Sequence, residues 1–440
     1  MIKPLLFVLV LTGCYLQGHS QLKSQAQAPP APQSPGSQQA GTGQLTLTEC
    51  YTLARQNYPL IKQRELILRT RDYSIENASK GWLPQLTFSG QATYQTQTIS
   101  FPFKVPGTTL PEFSKDQYRV QAELDQTIYD GGAIKRQKEL RQVEEGIQEK
   151  SLEVNLYALN DRINQLFFGI LLIDAQLQQN RLQRSDLQSA ADKIQASVTN
   201  GTAFRSSLDE LKAEVLKTDQ GRTELLANRR AFTQMLSLFI GRALDENAVL
   251  ESPPPTTAAS EVHRPELVLF DFQKKTFDVQ ERQLRTGYMP KVSAYALGAY
   301  GRPTLNFISN EFGFFGIGGI RFSWALAGHY TKKNDLALLD IHRKDLDIQK
   351  ETFLFNTNLS LTQQNAEADK YQALIGQDQQ IIALRASVKN AAGAQLENGV
   401  ITSHDYINHV NAESQARQSL SLHEIQLLQS GYNTKTISGN

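Results

Sequence analysis

Residue types that could support catalysis or metal binding are present, but their spacing favours neither role. His404, His409 and His423 fall in one predicted helix, where separations of 5 and 14 residues do not give the i, i+4 pair that binds a metal from one face. The run Gly316–Gly319 is glycine-rich, but no predicted helix start follows it, and a phosphate-binding loop needs one. The chain contains no Gly-x-Ser-x-Gly, His-Glu-x-x-His or Walker pattern. We therefore expect no enzyme activity, no cofactor and no metal site.

The first cysteine lies in a segment that predicts export from the cytoplasm. Residues 1–20 have a positively charged start and a short apolar core at Leu5–Leu11, as a signal peptide has. Two processing sites fit this segment. Leu11–Cys14 resembles a lipobox, in which Cys14 would be acylated, whereas Gly18–Ser20 suits the ordinary signal peptidase. Both alternatives stay open, and Cys14 is the lipidation candidate.

The bulk composition argues against two large classes of protein. The chain has 440 residues, and 45 basic against 44 acidic residues give a formal net charge of +1. A nucleic-acid-binding protein normally carries a basic excess, so no nucleic acid is expected as a partner. The hydrophobic fraction is 40%, and no segment after the N-terminus approaches the run of about 20 apolar residues that a membrane-spanning helix needs.

Two proline-rich linkers divide the chain, and the regions on either side of the second linker repeat each other. Residues 21–44 are expected to be a disordered linker, and residues 252–262 form the second linker. Shared landmarks lie 206 residues apart: Pro59 and Pro265, Gly81 and Gly287, Pro84 and Pro290, Tyr94 and Tyr300. The repetition predicts two copies of one structural unit, at residues 45–251 and 263–432, followed by a tail at 433–440.

Each repeat contains two segments in which apolar and polar residues alternate, which is the period of a strand with one apolar face, and the alternation is weaker in the second repeat. The predicted strands lie at about 84–96 and 116–129 in the first repeat, and at about 290–301 and 312–326 in the second. A length of about 10 residues suits a tilted strand that spans a bilayer. The face expected to meet lipid in the first repeat comprises Leu86, Phe88, Tyr94, Val120, Leu124 and Ile128.

A very long helix is predicted after each strand pair. The apolar residues from Leu156 to Leu177 recur at steps of three and four residues, which is the heptad pattern of a coiled coil. We expect one helical rod from about Ile134 to Thr199 and another from about Tyr330 to Glu397. At about 1.5 Å per residue, each rod would be roughly 100 Å long.

Each rod is expected to end in a hairpin tip and return as a second helix. Asn200-Gly201 and Asn398-Gly399 mark the two ends, because glycine commonly terminates a helix. Ser207 is predicted to cap the first returning helix, and Thr402 or Ser403 is predicted to cap the second.

Four amphipathic strands cannot close a membrane barrel by themselves. The smallest such barrels have about eight strands, and an open edge in lipid would leave backbone groups without hydrogen-bond partners. If these strands span a membrane, the chain must therefore form an oligomer. The polar face would then line the water-filled interior of the barrel. The helices would lie outside the bilayer, in water.

An ordered set of motifs resembles the TolC family of outer-membrane efflux proteins over about residues 45–432. The motifs are the internal repeat, Gly81–Pro84 before a strand, Gln126–Gly132 where a strand enters the long helix, and the tips at Asn200–Glu214 and Asn398–Glu413. The resemblance implies a mainly α fold with transmembrane β structure. Long coiled-coil hairpins would form a periplasmic tunnel, and a homotrimer with four strands from each protomer would form a 12-stranded β-barrel.

The resemblance also implies the partners of the protein and its place in the cell. The protein would span the outer membrane, extend into the periplasm and act as the passive channel of a tripartite efflux system. A periplasmic adaptor and an inner-membrane pump of the RND, ABC or MFS type would complete the system. The residues that would contact the adaptor are Gly201, Thr202, Ser206, Ser207, Gly399, Val400, Thr402 and Asp405.

Other interpretations of the same sequence stay open. A periplasmic coiled-coil adaptor or scaffold lipoprotein would also explain long helical hairpins and a lipobox, although not two strand pairs with one apolar face. A type I protein-secretion duct would have the same fold. The exported substrate could be a drug, a metal or a protein, and small molecules are our expectation.

Overall fold

The computed structural model describes residues 44–98, 107, 114–256, 261–306 and 310–440. The predicted signal peptide at 1–20, the lipidation candidate Cys14 and nearly all of the linker at 21–44 lie outside these residues. Residues 257–260 of the second predicted linker also lie outside them.

Helices dominate the described chain, and its four strands form a single sheet. Two short 3₁₀ segments, Pro59–Lys62 and Lys80–Trp82, flank the second helix. The elements in chain order are α1 (Leu47–Asn57), α2 (Gln63–Ser79), β1 (Gln85–Tyr94), β2 (Asp116–Tyr129), α3 (Ala133–Tyr157), α4 (Leu159–Thr199), α5 (Arg205–Ile240), α6 (Pro265–Gly287), β3 (Lys291–Arg302), β4 (Gly313–Ser323), α7 (Gly328–Glu397) and α8 (Ser403–Ser438). In each half the order of elements is therefore helix, strand, strand, long helix, tip and returning helix.

The long rods are present in both halves. α7 contains 70 residues, which corresponds to roughly 105 Å at about 1.5 Å per residue. The first rod is divided into α3 and α4 at Ala158. Ala158 keeps helical backbone angles (φ −60°, ψ −16°), and its N–H donates to the Val154 carbonyl over 3.1 Å, so the two helices follow one another closely.

α8 extends further than the sequence pattern predicts. Residues 433–438, which were assigned to a tail, form the last turns of this helix. Thr434, Thr436 and Ser438 are buried there. The His263 N–H donates to the Ser438 carbonyl over 2.6 Å, so this end of α8 is attached to the segment that leads into α6.

The four strands lie side by side in sequence order, and every neighbouring pair is antiparallel. Cross-strand partners include Phe88 with Ala122, and Val120 with Tyr300. β4 ends at Ser323, three residues before the predicted limit, because Trp324 and Leu326 enter the turn that precedes α7. β1 and β4 form the two edges of the described sheet.

The helices bury two separate apolar clusters. The first joins α1, α4 and α5, and Phe167, Phe168 and Ile163 of α4 are almost fully buried in it. The second lies beside the tips and joins both hairpins, with Leu187 and Leu211 at its centre. Burying each of these large side chains contributes about 1.5–3 kcal/mol. Among the helices of the described residues, none combines the length and apolar character needed to cross a membrane.

Candidate functional site

One face of the sheet is apolar and exposed across all four strands. Residues that pair directly in an antiparallel sheet share a face, so the cross-strand register identifies its members. Phe88 is 74% exposed and Phe314 is 87% exposed, although both are large apolar side chains. The apolar members of this face are Leu86, Phe88, Gly90, Ala92, Tyr94, Tyr118, Val120, Ala122, Leu124, Val292, Ala294, Ala296, Gly298, Tyr300, Phe314, Gly316, Gly318, Ile320 and Phe322.

The polar residues of this apolar face lie near the strand ends. They are Asp116, Gln126 and Arg302. Arg302 forms an ion pair with Asp116, and its guanidinium lies 5.0 Å from the ring centroid of Phe312. Charge is therefore kept at the margin of a wide apolar band.

The strand register places five of the six residues expected to face lipid on this apolar face. Leu86 pairs with Leu124, and Tyr94, Phe88 and Val120 lie on the same face. Ile128 differs because a register shift lies between Thr127 and Tyr129. Beyond that shift it is Tyr129, and not Ile128, that pairs with Val292 of the apolar face.

The opposite face of the sheet is polar in β1 and β2 and carries a charge cluster that was not predicted from the sequence. Arg321 of β4 lies 2.8 Å from Glu123 and 3.0 Å from Asp125, both in β2. Its guanidinium is 4.7 Å from the ring centroid of Tyr295 in β3. Ser293 donates a hydrogen bond to Asp125 over 3.2 Å. We call these five residues the wall cluster.

A capped turn joins the sheet to the long helices of the first repeat. The Asp130 carboxylate accepts hydrogen bonds from the backbone N–H groups of Gly132 (2.8 Å) and Ile134 (2.7 Å). Gly131 and Gly132 have φ of +71° and +88°, a region that favours glycine. A side chain at position 131 would also collide with Met289. The sequence Tyr-Asp-Gly-Gly thus forms the start of α3, and the Asp130 hydrogen bonds and the two glycines fix the direction in which the chain enters this helix.

The second repeat makes this junction differently. α7 begins at Gly328, and no side chain caps its first turn. The Trp324 indole donates to the Tyr288 carbonyl over 3.0 Å. Gln126 makes the equivalent bond in the first repeat, to the Trp82 carbonyl over 2.9 Å. The aromatic residue of each Gly-aromatic-x-Pro motif is therefore held by the end of the second strand.

The two hairpin tips share one backbone geometry. Gly201 and Gly399 both have φ of +71°, in agreement with the predicted helix stops. Each makes the paired hydrogen bonds of a Schellman motif. In the first tip Gly201 N–H donates to Val198 (3.0 Å) and Thr202 N–H to Ser197 (2.8 Å). The second tip has the same bonds, from Gly399 to Leu396 (3.1 Å) and from Val400 to Gln395 (2.8 Å).

The returning helices begin differently in the two tips. Thr402, one of the two predicted caps, is the N-cap of α8, and it forms a capping box with Asp405. The hydroxyl and the backbone N–H of Thr402 hold the pKa of the Asp405 carboxyl below its usual range. The prediction for Ser207 is wrong, because α5 already begins at Arg205 and its N-cap, Phe204, makes no side-chain hydrogen bond. Ser207 lies within the first turn.

The tips lie next to each other and expose apolar side chains. The His404 ring nitrogen lies 3.0 Å from Glu210, which links the start of α8 to α5. Phe204 is 82% exposed and Val400 is 70% exposed. Val400 is among the residues expected at the tips, whereas Phe204 is not. A large apolar residue next to a helix start was the signal that could have revealed it. The two returning helices therefore meet near their starts, and Phe204 is an exposed tip residue in addition to the expected ones.

Two hairpins are joined behind the tips by a network of four charged residues. Lys389 of α7 lies 2.7 Å from both Asp186 of α4 and Glu413 of α8, and Arg417 lies 2.6 Å from Glu413. Burial alone would raise the pKa of the Glu413 carboxyl, but hydrogen bonds from Lys389 and Arg417 hold it below its usual range. Lys193 of α4 and Glu397 of α7 add a further ion pair.

The described residues were compared with the requirements of a metal site and of a reactive thiol. No group of three or more His, Cys, Asp and Glu side chains among them could hold a metal ion. Cys50 is buried in the first apolar cluster, and burial raises the pKa of its thiol to about 12. A thiol with such a pKa stays protonated and unreactive.

Comparison with known proteins identifies the family of the first repeat. Residues 50–241 match the profile of the outer membrane efflux protein family. No curated protein is detectably similar to the chain in sequence.

Solved structures of channel proteins share the fold. CusC, described as forming a transmembrane channel, matches with a TM-score of 0.63 and 13% identity over 89% of this chain and 91% of its own. The outer membrane protein VceC from Vibrio cholerae matches with 0.62 and 14% over 90% and 96%. The CmeC outer membrane channel of Campylobacter jejuni matches with 0.61 and 12% over 89% and 85%. The first repeat thus matches the outer membrane efflux protein family, and the chain has a TolC-like fold.

Proposed function

We propose that three copies of this chain form the passive exit channel of a tripartite efflux system. Four strands from each protomer would close a 12-stranded barrel in the outer membrane. The helices would form a periplasmic tunnel through which small molecules leave the cell. The protein itself would carry out no reaction and would take its driving force from an inner-membrane pump.

The observation that carries this proposal is the sheet with two open edges and one exposed apolar face. An edge strand in lipid leaves N–H and C=O groups unpaired, and each such group costs several kcal/mol. Pairing β4 of one copy with β1 of the next would remove both edges in a closed ring. The apolar band led by Phe88 and Phe314 would then meet lipid, and the polar face would line the interior.

An apolar stripe on α7 supports the same assembly. The stripe follows heptad spacing, yet its side chains are exposed in the single chain. Its members are Leu338, Ile341, Ile348, Phe355 and Leu359. Heptad stripes of this kind pack against another helix, and a second copy of the chain would cover this one in a tunnel wall.

The tips are the proposed contact with a periplasmic adaptor. Both tips combine a Schellman turn with an exposed apolar residue, Phe204 or Val400. The other proposed contact residues lie near them in the sequence: Gly201, Thr202, Ser206, Ser207, Gly399, Thr402 and Asp405. Exposed apolar side chains in a polar surround are typical of a docking surface. The adaptor would connect the channel to an RND, ABC or MFS pump.

The proposal is tested by extracting the full-length protein from outer membranes with detergent and measuring its native mass. We expect a trimer that needs detergent and converts to the single chain on heating. A monomer that stays in solution without detergent would contradict the proposal and would favour the periplasmic scaffold. An adaptor crosslinked in cells through position 204 or 400 would test the docking role separately.

A further inference from the structure

The two hairpins of the chain match each other residue by residue on both sides of their tips. Thr199 ends α4 and Glu397 ends α7, and these residues are 198 positions apart. Arg205 begins α5 and Ser403 begins α8, again 198 positions apart. Each residue of α4 therefore has a counterpart in α7, and each residue of α8 has one in α5. A contact between α4 and α8 thus predicts a matching contact between α7 and α5.

Within one chain α4 packs closely against α8, and we call this packing the internal contact. The Gln183 side-chain amide donates to the Asn411 side-chain oxygen over 2.8 Å. The Ser414 hydroxyl donates to the Gln183 side-chain oxygen over 3.0 Å. About one helical turn nearer the tips, Leu187 and Ile407 are buried in the second apolar cluster. The internal contact therefore has a polar level and, next to it, an apolar level.

The counterparts of the polar level are large apolar residues that the single chain leaves exposed. Ile381 of α7 takes the place of Gln183, and Leu216 of α5 takes the place of Ser414. The exposed fractions of Ile381 and Leu216 are 46% and 69%. Where the internal contact has hydrogen bonds, α7 and α5 thus carry two side chains that would be stabilised by burial against each other.

The counterparts of the apolar level carry opposite charges. Arg385 of α7 takes the place of Leu187, and Asp209 of α5 takes the place of Ile407; both are exposed. Among the described residues Arg385 has no ion-pair partner. Asp209 lies 3.9 Å from Arg205, which is itself highly exposed. A guanidinium and a carboxylate at matching positions favour one register of contact between the two helices.

A second level of the rods, further from the tips, shows the same change from polar to apolar. At the end of α3 the Tyr157 hydroxyl donates to the Thr436 carbonyl of α8 over 2.8 Å. The counterparts are Phe355 of α7 and Leu238 of α5, which are 67% and 83% exposed. Phe355 and Ile381 are separated by about 39 Å along α7. Two matching levels so far apart define a single alignment of α7 with α5.

We propose that α5 of a second copy packs against α7 in the register of the internal contact, with Arg385 facing Asp209 and Ile381 facing Leu216 of that copy. The inference rests on the proposed trimer. Three internal contacts and three contacts between copies would then alternate around the tunnel. Each copy would offer α7 to one neighbour and α5 to the other, which is the head-to-tail arrangement that a closed ring requires.

The charge pair is tested by reversing its signs in the full-length protein. Arg385→Glu would place two carboxylates opposite each other, and we expect the temperature of trimer dissociation in detergent to fall by about 2–4 °C. Asp209→Arg alone should cause a similar fall, and the double variant should recover the wild-type temperature. Arg385→Glu combined with Glu224→Arg is the control. Glu224 is an exposed carboxylate elsewhere on α5, so this combination should not recover.

The apolar pair is tested by disulfide formation between copies. Ile381→Cys combined with Leu216→Cys should give covalently linked trimers on a non-reducing denaturing gel, and reductant should convert them to single chains. Ile381→Cys combined with Leu238→Cys uses the same two helices at levels about 33 Å apart along α5, and it should give none.

The native mass separates the two ways in which these experiments could fail. A native trimer without recovery in the charge-reversed double variant, or with equal linking of both cysteine pairs, would overturn the inference and leave the proposed function intact. If the wild-type protein forms no trimer, the proposed function itself fails.

Discussion

Lys389 and Glu413 face each other across the second hairpin, with Nζ of Lys389 2.7 Å from a carboxylate oxygen of Glu413. Only 4% of Glu413 is exposed. Lys389 also contacts Asp186 of the first hairpin, again at 2.7 Å. One ammonium group therefore joins α4, α7 and α8 just behind the tips.

Replacing Lys389 with Met should loosen the contact between the two hairpins. Glu413 would keep only Arg417 as a partner, and breaking a buried ion pair leaves a charge without compensation. We expect a loss of about 1–3 kcal/mol and a lower temperature of trimer dissociation in detergent. Cells should also admit more of a bulky antibiotic that the outer membrane normally excludes.

Lys217→Met is the matched control for this prediction. Lys217 pairs with Glu214 at 3.3 Å on the surface of α5, and exposed pairs contribute about 0–1 kcal/mol. It should therefore change neither the dissociation temperature nor antibiotic entry. If Lys389→Met behaved like this control, the network would have no role in holding the hairpins together.

The low pKa of Glu413 predicts loss of stability in acid. A carboxyl group whose pKa is lower in the folded state stabilises the protein above its unfolded pKa of about 4.3. That contribution is lost as pH falls through the lower folded pKa. The dissociation temperature of wild type should therefore decline more steeply below about pH 4 than that of Glu413→Gln. Parallel curves for the two proteins would show that another group governs the acid response.

Local patterns were sufficient to predict most of the fold. The alternation around Phe88 and Val120 predicted two strands with one apolar face, and the register places both residues on that face. Gly201 and Gly399 were predicted as helix stops, and both adopt the positive φ of a Schellman turn. These features depend on residues that are close in sequence, so periodicity and glycine placement suffice.

The wall cluster and the Lys389 network could not be predicted in the same way. Arg321 meets Glu123 from 198 residues away, and Lys389 meets Asp186 from 203 residues away. Such pairs form only when strands or helices are already aligned. The error at Ser207 has a local cause: a capping-box pattern placed the N-cap at Ser207, but the N-cap is Phe204, three residues earlier.

Gly399→Ala should impair the second tip through backbone strain alone. A Cβ at position 399 would meet no atom within 4 Å, but φ is +71°, and a left-handed conformation costs a non-glycine residue about 1–2 kcal/mol. We expect normal trimer levels and reduced efflux in a drug-susceptibility assay. Gly376→Ala, in open space within α7, is the control and should be neutral or slightly stabilising. Efflux equal to wild type in Gly399→Ala would count against a docking role for this turn.

Asp130→Ala should weaken the junction between β2 and α3. The substitution removes two hydrogen bonds at a helix N-terminus, at a cost of about 1–2 kcal/mol. Asp130→Asn can keep one acceptor and should lose about half as much. Thermal dissociation of the trimer should therefore rank wild type, Asp130→Asn and Asp130→Ala in that order. Any other order would mean that the carboxylate does not act as the cap.

Val120→Arg and Gln121→Arg place the same side chain on opposite faces of β2. Val120 pairs with Gly90 and Tyr300 on the apolar face, and Gln121 pairs with Ser89 and Ala299 on the other face. A charge on the lipid face of a barrel costs roughly 2–4 kcal/mol near the midplane, whereas a charge facing the lumen remains hydrated. Val120→Arg should therefore strongly reduce the amount of heat-modifiable trimer in the outer membrane, and Gln121→Arg should leave it near the wild-type level. Phe88→Arg on the apolar face and Thr87→Arg on the other face repeat the comparison on β1. A loss of assembly that occurs with substitutions in only one of the two strands would thereby be recognised. Equal loss of assembly on both faces would contradict the assignment of lipid and lumen sides. Since the two members of each pair are neighbours with identical new side chains, burial in lipid is the property that separates them.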